Sequence, residues 1–562
     1  MRTVEGMAIG RLLSWAATIT TVTVLPWNTY DPINVPKLTV LSISGFMVMA
    51  FLATQGNIIF SKEFRPLTLV AFAFIADLFL VLIFSGTNTN QEFFGTNGRS
   101  TGFLAFVSLT FLLMAGALSS TGIVCKKFSW FLIGSGVVSA LYGVAQALDM
   151  DPANWINNYS PAIGFLGNPD FQSSFMGFSA VLAFALLLSK ETLIAVKTGL
   201  LAMILVAMYV IKETGAQQGF LVLLGGSAMI ALIFVYQSKA KALTLPIFSL
   251  GFVSFALAVM GSLNSGPLAS LLHKPSVIYR GDYWRAGWKM TLDNPYFGVG
   301  LDSYGDWYRR SRDVAATLRR GPDITSNAAH NVFLDFSSNG GFPLLIIYLA
   351  LMILVARAAV RVIRRSTRFD PVFTGLFAVW MAYQAQSIIS LNQLGLAVWG
   401  WIISGLLIGY EINTRLEIAE SKAHKLTKKD RSISASADKK VLPVTSVALS
   451  IGFLVGLLVG LPPLIASSKV KSAFESGDKF VIAAAVDFFP QDLARTNQIA
   501  YIFKQNDLET DAISLIMATV KQYPDSYDSW ALLASLKSAS SAQIAQARAQ
   551  MKRLDPHNPD LQ

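Results

Sequence analysis

Residues 279–313 read YRGDYWRAGWKMTLDNPYFGVGLDSYGDWYRRSRD, and residues 326–343 read SNAAHNVFLDFSSNGGFP. These two segments carry arginine, aspartate, tryptophan and one histidine, whereas long apolar segments occupy most of the chain on either side of them. If the apolar segments cross a membrane, this polar island lies at the membrane surface. We therefore expect the chemistry of the protein there.

The composition is that of a membrane protein. Of 562 residues, 53% are hydrophobic and 14% are charged, and the mean hydropathy is +0.50. A soluble domain has about 25% charged residues. The single cysteine, Cys125, excludes an intramolecular disulfide and a cysteine-based metal cluster. The net charge of +11 is compatible with nucleic-acid binding, but Lys and Arg occur in short clusters between apolar segments, and membrane topology explains that distribution better.

Thirteen apolar segments have about the 17–25 residues that a helix needs to cross the hydrocarbon core. They are residues 9–25, 38–56, 67–85, 102–121, 128–148, 171–189, 193–211, 218–236, 244–263, 342–363, 371–389, 394–411 and 442–467. No small-residue cleavage site follows the first segment, so we expect a span there rather than a cleaved signal peptide. The predicted fold class is an all-α polytopic membrane protein with about thirteen transmembrane helices.

The positions of Lys and Arg predict the orientation of these spans. The connections after even-numbered spans are basic, up to the run from Arg415 to Lys440, whereas the short connections after odd-numbered spans carry only Lys37, Arg99 and Lys212. Basic loops stay on the cytoplasmic side of a membrane. We therefore expect a cytoplasmic N-terminus, an extracytoplasmic polar island and an extracytoplasmic C-terminal region.

The chain divides into four predicted parts. These are a membrane domain over 1–411 with an extracytoplasmic active-site loop at 264–341, a basic cytoplasmic linker over 412–441, a last transmembrane helix over 442–467, and an extracytoplasmic helical domain over 468–562. In the last part, Pro490 and Pro524 lie 34 positions apart, and Ala500 and Ala534 occupy matching places. This period resembles that of tetratricopeptide repeats. We expect this domain to contact a protein partner or the membrane domain rather than to carry chemistry.

Four side chains of the polar island are candidates for a site. His330 lies where a span begins, and an imidazole of near-neutral pKa can accept a proton from an attacking hydroxyl. The alternative is a structural histidine that caps the start of the helix. Arg280 and Arg285 flank Trp284, and a planar guanidinium suits phosphate oxygens. Here the alternative is that Arg and Trp anchor the loop to lipid headgroups.

RGDYWRAGWKMTLDNPYFGVGLDSY, followed by HNVFLDFSSNGGFPLLIIYL, closely resembles the signature of the O-antigen ligase and polymerase superfamily. That superfamily includes lipopolysaccharide O-antigen ligases, Wzy-type polymerases and bacterial O-linked oligosaccharyltransferases. Earlier segments, SGTNTNQEFFGTNGRSTGF, LYGVAQALDMDP and GFLGNPDFQSSFMGF, look like its loop motifs, and QSIISLNQLGLAVWGWIISGLLIG resembles its last common spans. The resemblance covers roughly residues 30–411.

This resemblance implies a metal-independent glycosyltransferase that needs no cofactor. It implies transfer of a glycan from an undecaprenyl-diphosphate-linked donor to a hydroxyl of a glycan, lipid or protein acceptor, at the outer face of the bacterial cytoplasmic membrane. By family likeness, Arg280 and Trp284 match an R-x-x-x-W pattern whose arginine holds the diphosphate. His330 matches the histidine of an H-N pattern that orients or deprotonates the acceptor.

The chain departs from the family pattern at one place. Many members carry a Ser-Arg-Gly turn whose arginine is implied to contact the diphosphate, and here the stretch is GAQQG, with Gln217 and Gln218. Glutamine donates hydrogen bonds but brings no charge. We expect Lys212, Arg99 or Arg285 to supply the missing cation, because all three are predicted to lie outside.

Two other classes of function stay open at this point. One is a flippase or transporter of lipid-linked saccharide, in which the basic island forms a headgroup-binding vestibule. Asp77 is the clear acidic residue within a span, and this scarcity argues against ion coupling. The other is a non-catalytic membrane scaffold that recruits partners through its C-terminal repeats. Turnover of a lipid-linked donor distinguishes an enzyme from both.

Overall fold

The computed structural model describes residues 3–153, 155, 160, 162–273, 275–426 and 443–562. Within these ranges the regular structure is helical, and no β-strand occurs. In chain order the α-helices are α1 Thr3–Val22, α2 Asn34–Ala53, α3 Gly56–Ile59, α4 Arg65–Phe84, α5 Thr89–Phe94, α6 Phe103–Ser119, α7 Gly122–Ala147, α8 Pro169–Leu187, α9 Ile194–Glu213, α10 Gln218–Tyr236, α11 Thr244–Ser262, α12 Ala269–Leu272, α13 Pro275–Asp293, α14 Tyr304–Ser311, α15 Val314–Arg320, α16 Val332–Arg365, α17 Pro371–Ser387, α18 Leu394–Leu426, α19 Pro443–Ser476, α20 Lys479–Ala484, α21 Leu493–Gln505, α22 Glu509–Gln522, α23 Tyr527–Ala534 and α24 Ser541–Leu554.

The predicted all-α polytopic membrane fold is confirmed, and each of the thirteen predicted spans coincides with a long helix. In the described part of the chain, ten helices are long and apolar enough to cross a membrane: α2, α4, α7, α8, α9, α10, α11, α16, α18 and α19. The other three are less typical of a span. Helices α6 and α17 have 17 residues each, and α1 carries Glu5 and Arg11.

Small residues let α19 pack tightly against α2. Gly452, Gly456 and Gly460 recur every four residues and so share one face of α19. A Cβ added at Gly456 would lie 2.6 Å from the Cα of Ile43, so only glycine allows this approach. The Thr39 hydroxyl also donates a 2.9 Å hydrogen bond to the Gly460 carbonyl. Helix α19 is therefore fixed to the membrane domain, and it leads directly into the C-terminal domain.

The predicted span over residues 342–363 coincides with the part of helix α16 that follows a break at Gly341. Helix α16 begins at Val332, and Gly341 kinks it with φ 73° and ψ −174°. A Cβ at Gly341 would lie 2.6 Å from the Pro295 carbonyl oxygen. The run of Ser, Asn and Gly before residue 342 reads as a turn in sequence. In the fold it is helical up to Gly340, and the Ser338 and Asn339 carbonyls next to the break accept from the Val299 and Gly300 N–H groups at 2.8 Å and 3.1 Å.

Two helices continue beyond the ends of the predicted spans that they contain. Helix α18 continues to Leu426, so the first half of the predicted linker over 412–441 is helical. The rest of that linker lies outside the described residues. Helix α19 continues to Ser476, beyond the predicted end at 467. After it, α21 packs with α22 and α23 packs with α24, around a core that includes the fully buried Ala500. The tetratricopeptide assignment of these helix pairs stays a prediction.

The segment between α11 and α16, here called the long loop (residues 263–331), has its own apolar cluster. Tyr283 and Met290 of α13 are buried with Tyr304 and Tyr308 of α14 and with Ala329. Tyr304 also donates a 2.7 Å hydrogen bond to the Tyr283 carbonyl oxygen. Since α13 packs on the first part of α16, the polar island is a folded unit at one end of the membrane helices.

Candidate functional site

His330 lies between the long loop and α16. Its backbone is left-handed, with φ 51°. The cap of α16 is its neighbour Asn331, whose Oδ1 accepts from the Phe333 and Leu334 N–H groups at 3.0 Å and 3.2 Å. The interpretation of His330 as the helix cap is therefore wrong, because another residue satisfies these N–H groups. The imidazole instead faces the long loop.

The surroundings of His330 keep its ring uncharged. The imidazole lies against the ring of Tyr283, with centroids 5.3 Å apart. Burial and the positive charges of Arg280, Arg99 and Arg320 lower the pKa of His330 to about 4. At neutral pH the ring therefore has a lone pair available for a proton. The same three guanidinium groups make this a favourable position for an anion.

Arg280 joins three parts of the membrane domain. Arg280 is on α13. Its Nε donates a 3.0 Å hydrogen bond to the Ile389 carbonyl, just beyond the end of α17. Its Nη2 lies 3.8 Å from a carboxylate oxygen of Asp170 on α8. Its side chain is 20% exposed. Arg280 is thus held in place by a backbone acceptor and remains open on one side, as a residue that binds a ligand must be.

Arg99 is buried beneath the site. Its Nε lies 3.0 Å from Asp302, its Nη2 lies 4.0 Å from Asp335, and its Nη1 donates to the Asn327 carbonyl. The side chain is only 5% exposed. These contacts tie the loop before α6 to the long loop. The positive charge of Arg99 helps to lower the pKa of His330, but the guanidinium itself already has acceptors in Asp302, Asp335 and the Asn327 carbonyl.

Arg320 is a residue of the site that the sequence did not reveal. Its guanidinium carbon lies 4.4 Å from the ring centroid of Tyr279 and 5.8 Å from that of Tyr283, and its Nη1 donates to the Tyr283 hydroxyl. It ends α15, in a basic run that reads as a solvated surface. The adjacent Arg319 donates to Asp282 instead. A pair of neighbouring arginines gives no sign in sequence of which one faces the site.

Two other predicted residues of α13 have structural partners. Arg285 is half-exposed and pairs with Asp282 and Asp313, and its charge is not among those that lower the pKa of His330. It therefore links α13 to α15. Trp284 is partly buried against the apolar cluster of the long loop. Its buried indole N–H has no hydrogen-bond acceptor among the residues that the structure describes.

The stretch with the two glutamines approaches the site through Gln218 alone. Gln218 begins α10 and is buried, and its Oε1 lies 3.4 Å from the Ser174 hydroxyl on α8. That hydroxyl is 2.8 Å from the carbonyl of Asp170, the residue that faces Arg280. Gln217 is exposed, and Lys212 is 76% exposed with its Nζ 3.6 Å from Glu213. Gln218 is therefore placed near Arg280, while Gln217 and Lys212 point to solvent.

Two cavities lie near these residues. A small one beneath His330 is lined by Arg99, Asp302, Asp335 and Asn339, among others. A separate open cleft lies between the loops before α2 and α6, helix α19 and the start of α21. Its lining includes Ser100, the residue after Arg99, together with carboxamide side chains such as Asn90 and Gln491. In the described ranges, no group of three His, Cys, Asp or Glu side chains could hold a metal ion.

The fold and this site define a polytopic helical membrane protein in which the charges of three arginines lower the pKa of a buried histidine. Residues 175–349 match the family model Wzy_C, described as O-antigen ligase. A comparison with curated proteins returns no match. Residues 175–349 are thus similar to an O-antigen ligase domain, which supports the family resemblance of the two motifs of the polar island that lie within this range. The domain supports glycan transfer of the ligase type at a membrane, with a lipid-linked glycan as substrate and a glycan or protein as acceptor.

The matched range contains Arg280, Arg320, His330 and Gln218, and it ends within α16. Arg99 lies outside it. The C-terminal domain lies outside it too, so the family match carries no information on that part of the chain.

Proposed function

We propose that this protein transfers a glycan from an undecaprenyl-diphosphate-linked donor to an acceptor hydroxyl, at the outer face of a bacterial cytoplasmic membrane and without a metal ion. One observation carries the proposal: the ring of Tyr283 contacts the imidazole of His330 and its hydroxyl accepts from Arg320, while the charges of Arg280, Arg99 and Arg320 hold the pKa of that imidazole below its usual range. A reaction in which a diphosphate leaves needs this combination of positive charge and a proton acceptor.

Arg280 is the residue proposed to bind the diphosphate. As the bond between the anomeric carbon and the diphosphate oxygen breaks, negative charge grows on that oxygen, and fixed cations stabilise it. Arg280 is partly exposed and its Nε is fixed by the Ile389 carbonyl. The guanidinium therefore needs little reorganisation when the donor binds. Positive charge supplied by arginine in this way can replace the charge of a metal ion.

His330 is proposed to accept the proton of the acceptor hydroxyl. As the acceptor oxygen bonds to the anomeric carbon, its proton moves to the imidazole, and the diphosphate departs with the bonding electron pair. A pKa of about 4 makes the free imidazole a weak base. The bound diphosphate offsets the charges of Arg280, Arg99 and Arg320, so it raises this pKa. His330 thus becomes a stronger base when the donor is present.

Arg320, rather than Lys212 or Arg285, is proposed to supply the cation that GAQQG lacks. Lys212 is solvent-exposed beside Glu213, and Arg285 is held by two carboxylates. The charge of Arg320 acts on His330, and its guanidinium lies on the aromatic rings next to it. Arg99 contributes charge from below, where Asp302 and Asp335 surround it.

The proposed orientation places the site and the C-terminal domain outside, with the N-terminus in the cytoplasm. The distribution of Lys and Arg supports it. Contacts between parts far apart in sequence support it as well, because segments that touch outside the membrane must share one side of it. Phe94, before α6, packs against Phe489, with centroids 5.9 Å apart. Arg312 of the long loop binds Asp555 of the C-terminal domain.

The test uses purified protein in vesicles with an undecaprenyl-diphosphate-linked oligosaccharide and candidate acceptors. We expect the parent protein to release undecaprenyl diphosphate, both with and without a chelator. We expect no release from Arg280→Ala or from His330→Ala. Arg361→Ala, in the distant end of α16, is the matched control for arginine removal. Movement of uncleaved donor across the vesicle would instead identify a transporter, and neither movement nor cleavage would identify a scaffold.

A further inference from the structure

The C-terminal domain binds the long loop through one buried carboxylate, that of Asp555. Asp555 Oδ2 lies 2.6 Å from Arg312 Nη2 and 3.3 Å from Arg309 Nη1. The Asp555 side chain is 0% exposed and that of Arg312 is 1% exposed. Arg309 also stacks on Tyr527 of α23, 4.0 Å from the ring centroid. A carboxylate buried this deeply is stable only with such partners.

The two arginines that Asp555 holds also fix the backbone after α15. Arg312 donates to the Pro322 and Ile324 carbonyls at 2.8 Å and 3.0 Å. Arg309 donates to the same Pro322 carbonyl at 2.7 Å. Since α15 starts after Arg312 and ends at Arg320, both of its ends are attached to the arginines that Asp555 neutralises.

Two routes lead from this attachment to His330. Tyr308, one turn before Arg312 on the chain, packs edge-on against Tyr283 with centroids 5.8 Å apart. Arg320, at the end of α15, donates to the Tyr283 hydroxyl. Tyr283 in turn is the ring on which the imidazole of His330 lies. The position of Arg320 and Tyr283 at the site therefore depends on segments that the C-terminal domain holds.

We propose that Asp555 is a positioning residue for the membrane site, and that the C-terminal domain is part of the catalytic unit because it holds α15 and Arg320 against Tyr283 and His330. Its effect on turnover rests on the proposed function. Its effect on the geometry around His330 does not. The domain thus has a task within its own chain, whether or not it also binds a partner protein.

A second set of ion pairs, between α13 and α15, is an alternative explanation for the position of Arg320. Helix α15 is also tied to α13, because Arg285 binds Asp313 and Arg319 binds Asp282. Arg285, Asp313 and Arg319 are 53%, 45% and 35% exposed. The pair of Arg285 with Asp313 is exposed on both sides and contributes little, but Asp282, the partner of Arg319, is 0% exposed, so that pair is the stronger competitor. If these pairs suffice to place Arg320, removing the Asp555 charge leaves the site unchanged.

The experiment compares Asp555→Asn with Asp525→Asn in the full-length protein in lipid vesicles. Asp525 binds Arg310 at 3.3 Å and Arg553 at 2.6 Å, but it is 54% exposed, so it is a matched contact of the same domain without burial. We expect Asp555→Asn to lower kcat by about tenfold or more, since small displacements in a site are costly. Asp525→Asn should stay within about twofold of the parent protein.

A second readout does not depend on activity. With isotope-labelled histidine, NMR titration reports the pKa of His330, and His330→Gln assigns its signal among the four histidines. We expect this pKa to rise in Asp555→Asn and in Arg320→Ala, because the charge of Arg320 then opposes protonation less, while burial, Arg280 and Arg99 still hold it below the unperturbed value, and we expect it to stay unchanged in Asp525→Asn. Asp555→Glu, which keeps the charge, should retain more activity and a lower pKa than Asp555→Asn.

The outcomes separate the two proposals. If Asp555→Asn is folded and both kcat and the pKa of His330 match the parent protein, the positioning role is refuted. If that pKa rises while even the parent protein cleaves no donor, the positioning role stands and the proposed function fails. If Asp555→Asn unfolds, Arg312→Met decides from the loop side, because it leaves the sequence of the C-terminal domain unchanged. An unchanged pKa of His330 in that variant would refute the proposal.

Discussion

The imidazole of His330 lies against the phenol ring of Tyr283, and Arg320 donates a hydrogen bond to the hydroxyl of that same tyrosine. Tyr283 therefore joins the proposed base to a cation that lies 10 residues before it in the chain. This arrangement places a positive charge next to a neutral imidazole without a direct contact between them. A bound diphosphate can then interact with the cation while the imidazole keeps its lone pair for the acceptor.

Replacing Arg320 tests this arrangement most directly. We expect Arg320→Gln to lower kcat/KM for the lipid-linked donor by about 10²-fold, the usual effect of removing one donor that stabilises a developing anion. Arg319→Gln is the control, because Arg319 is the adjacent arginine on α15 but faces Asp282. Initial rates of undecaprenyl diphosphate release measure both. Equal losses in the two variants would mean that Arg320 has no special position.

The pH dependence of the reaction should differ between free and donor-bound protein. The pKa of His330 is lowered to about 4, so the imidazole is neutral, and able to accept a proton, above that pH. Activity is lost as pH falls and the imidazole becomes protonated. Since kcat/KM reports the free protein, its acid limb should lie near pH 4. The acid limb of kcat should lie at higher pH, because bound diphosphate offsets the nearby positive charges.

Complete pH profiles of kcat and kcat/KM between acid and neutral pH check this prediction. Arg320→Ala should move the acid limb of kcat/KM upwards, since it removes one of the charges that oppose protonation. Coincident acid limbs in the parent protein would contradict the proposed effect of the donor on His330.

Gln218 offers a test of how the chain manages without the family arginine. It is buried at the start of α10 beside Ser174, and its Nε2 has no partner among the described residues. We expect Gln218→Arg to restore at least about tenfold of the kcat/KM that Arg320→Gln loses, because a charge-assisted hydrogen bond replaces a missing one. Gln217→Arg, one residue earlier and exposed, is the control. No rescue by Gln218→Arg would show that the two positions do not serve the same anion.

The kink in α16 should be sensitive to a single methyl group. At Gly341 the backbone has φ 73°, and a Cβ would approach the Pro295 carbonyl oxygen to 2.6 Å. We expect Gly341→Ala to cost about 1–3 kcal/mol from the backbone alone, because φ 73° with ψ −174° is a conformation that essentially only glycine adopts, and the clash adds to this cost. Thermal unfolding in detergent measures the loss. Gly56→Ala, where no atom lies within 4 Å of the added Cβ, should be nearly neutral. A melting temperature for Gly341→Ala equal to that of the parent would contradict the constraint.

The sequence by itself determined the fold class, and it singled out the polar island as the candidate site. Long apolar segments become helices in a membrane because every backbone group must be paired there. The positions of thirteen helices were thus readable from hydropathy, and the polar island with Arg280 and His330 stood out between them. The helical segment of α16 before Gly341 was not predicted, because its Ser, Asn and Gly suit a turn, and its contact with the Val299 N–H group exists only in the fold.

Only the tertiary structure decided which charges work together. Arg285 and Lys212 were as plausible as Arg320 in the sequence, since each is a cation in a polar stretch. Ion pairs depend on distance and burial, and these follow from chain packing rather than from spacing along the chain. Arg285 forms ion pairs with Asp282 and Asp313, and Lys212 is exposed to solvent. Asp555, more than two hundred residues after Arg312 in the sequence, lies 2.6 Å from it in the fold.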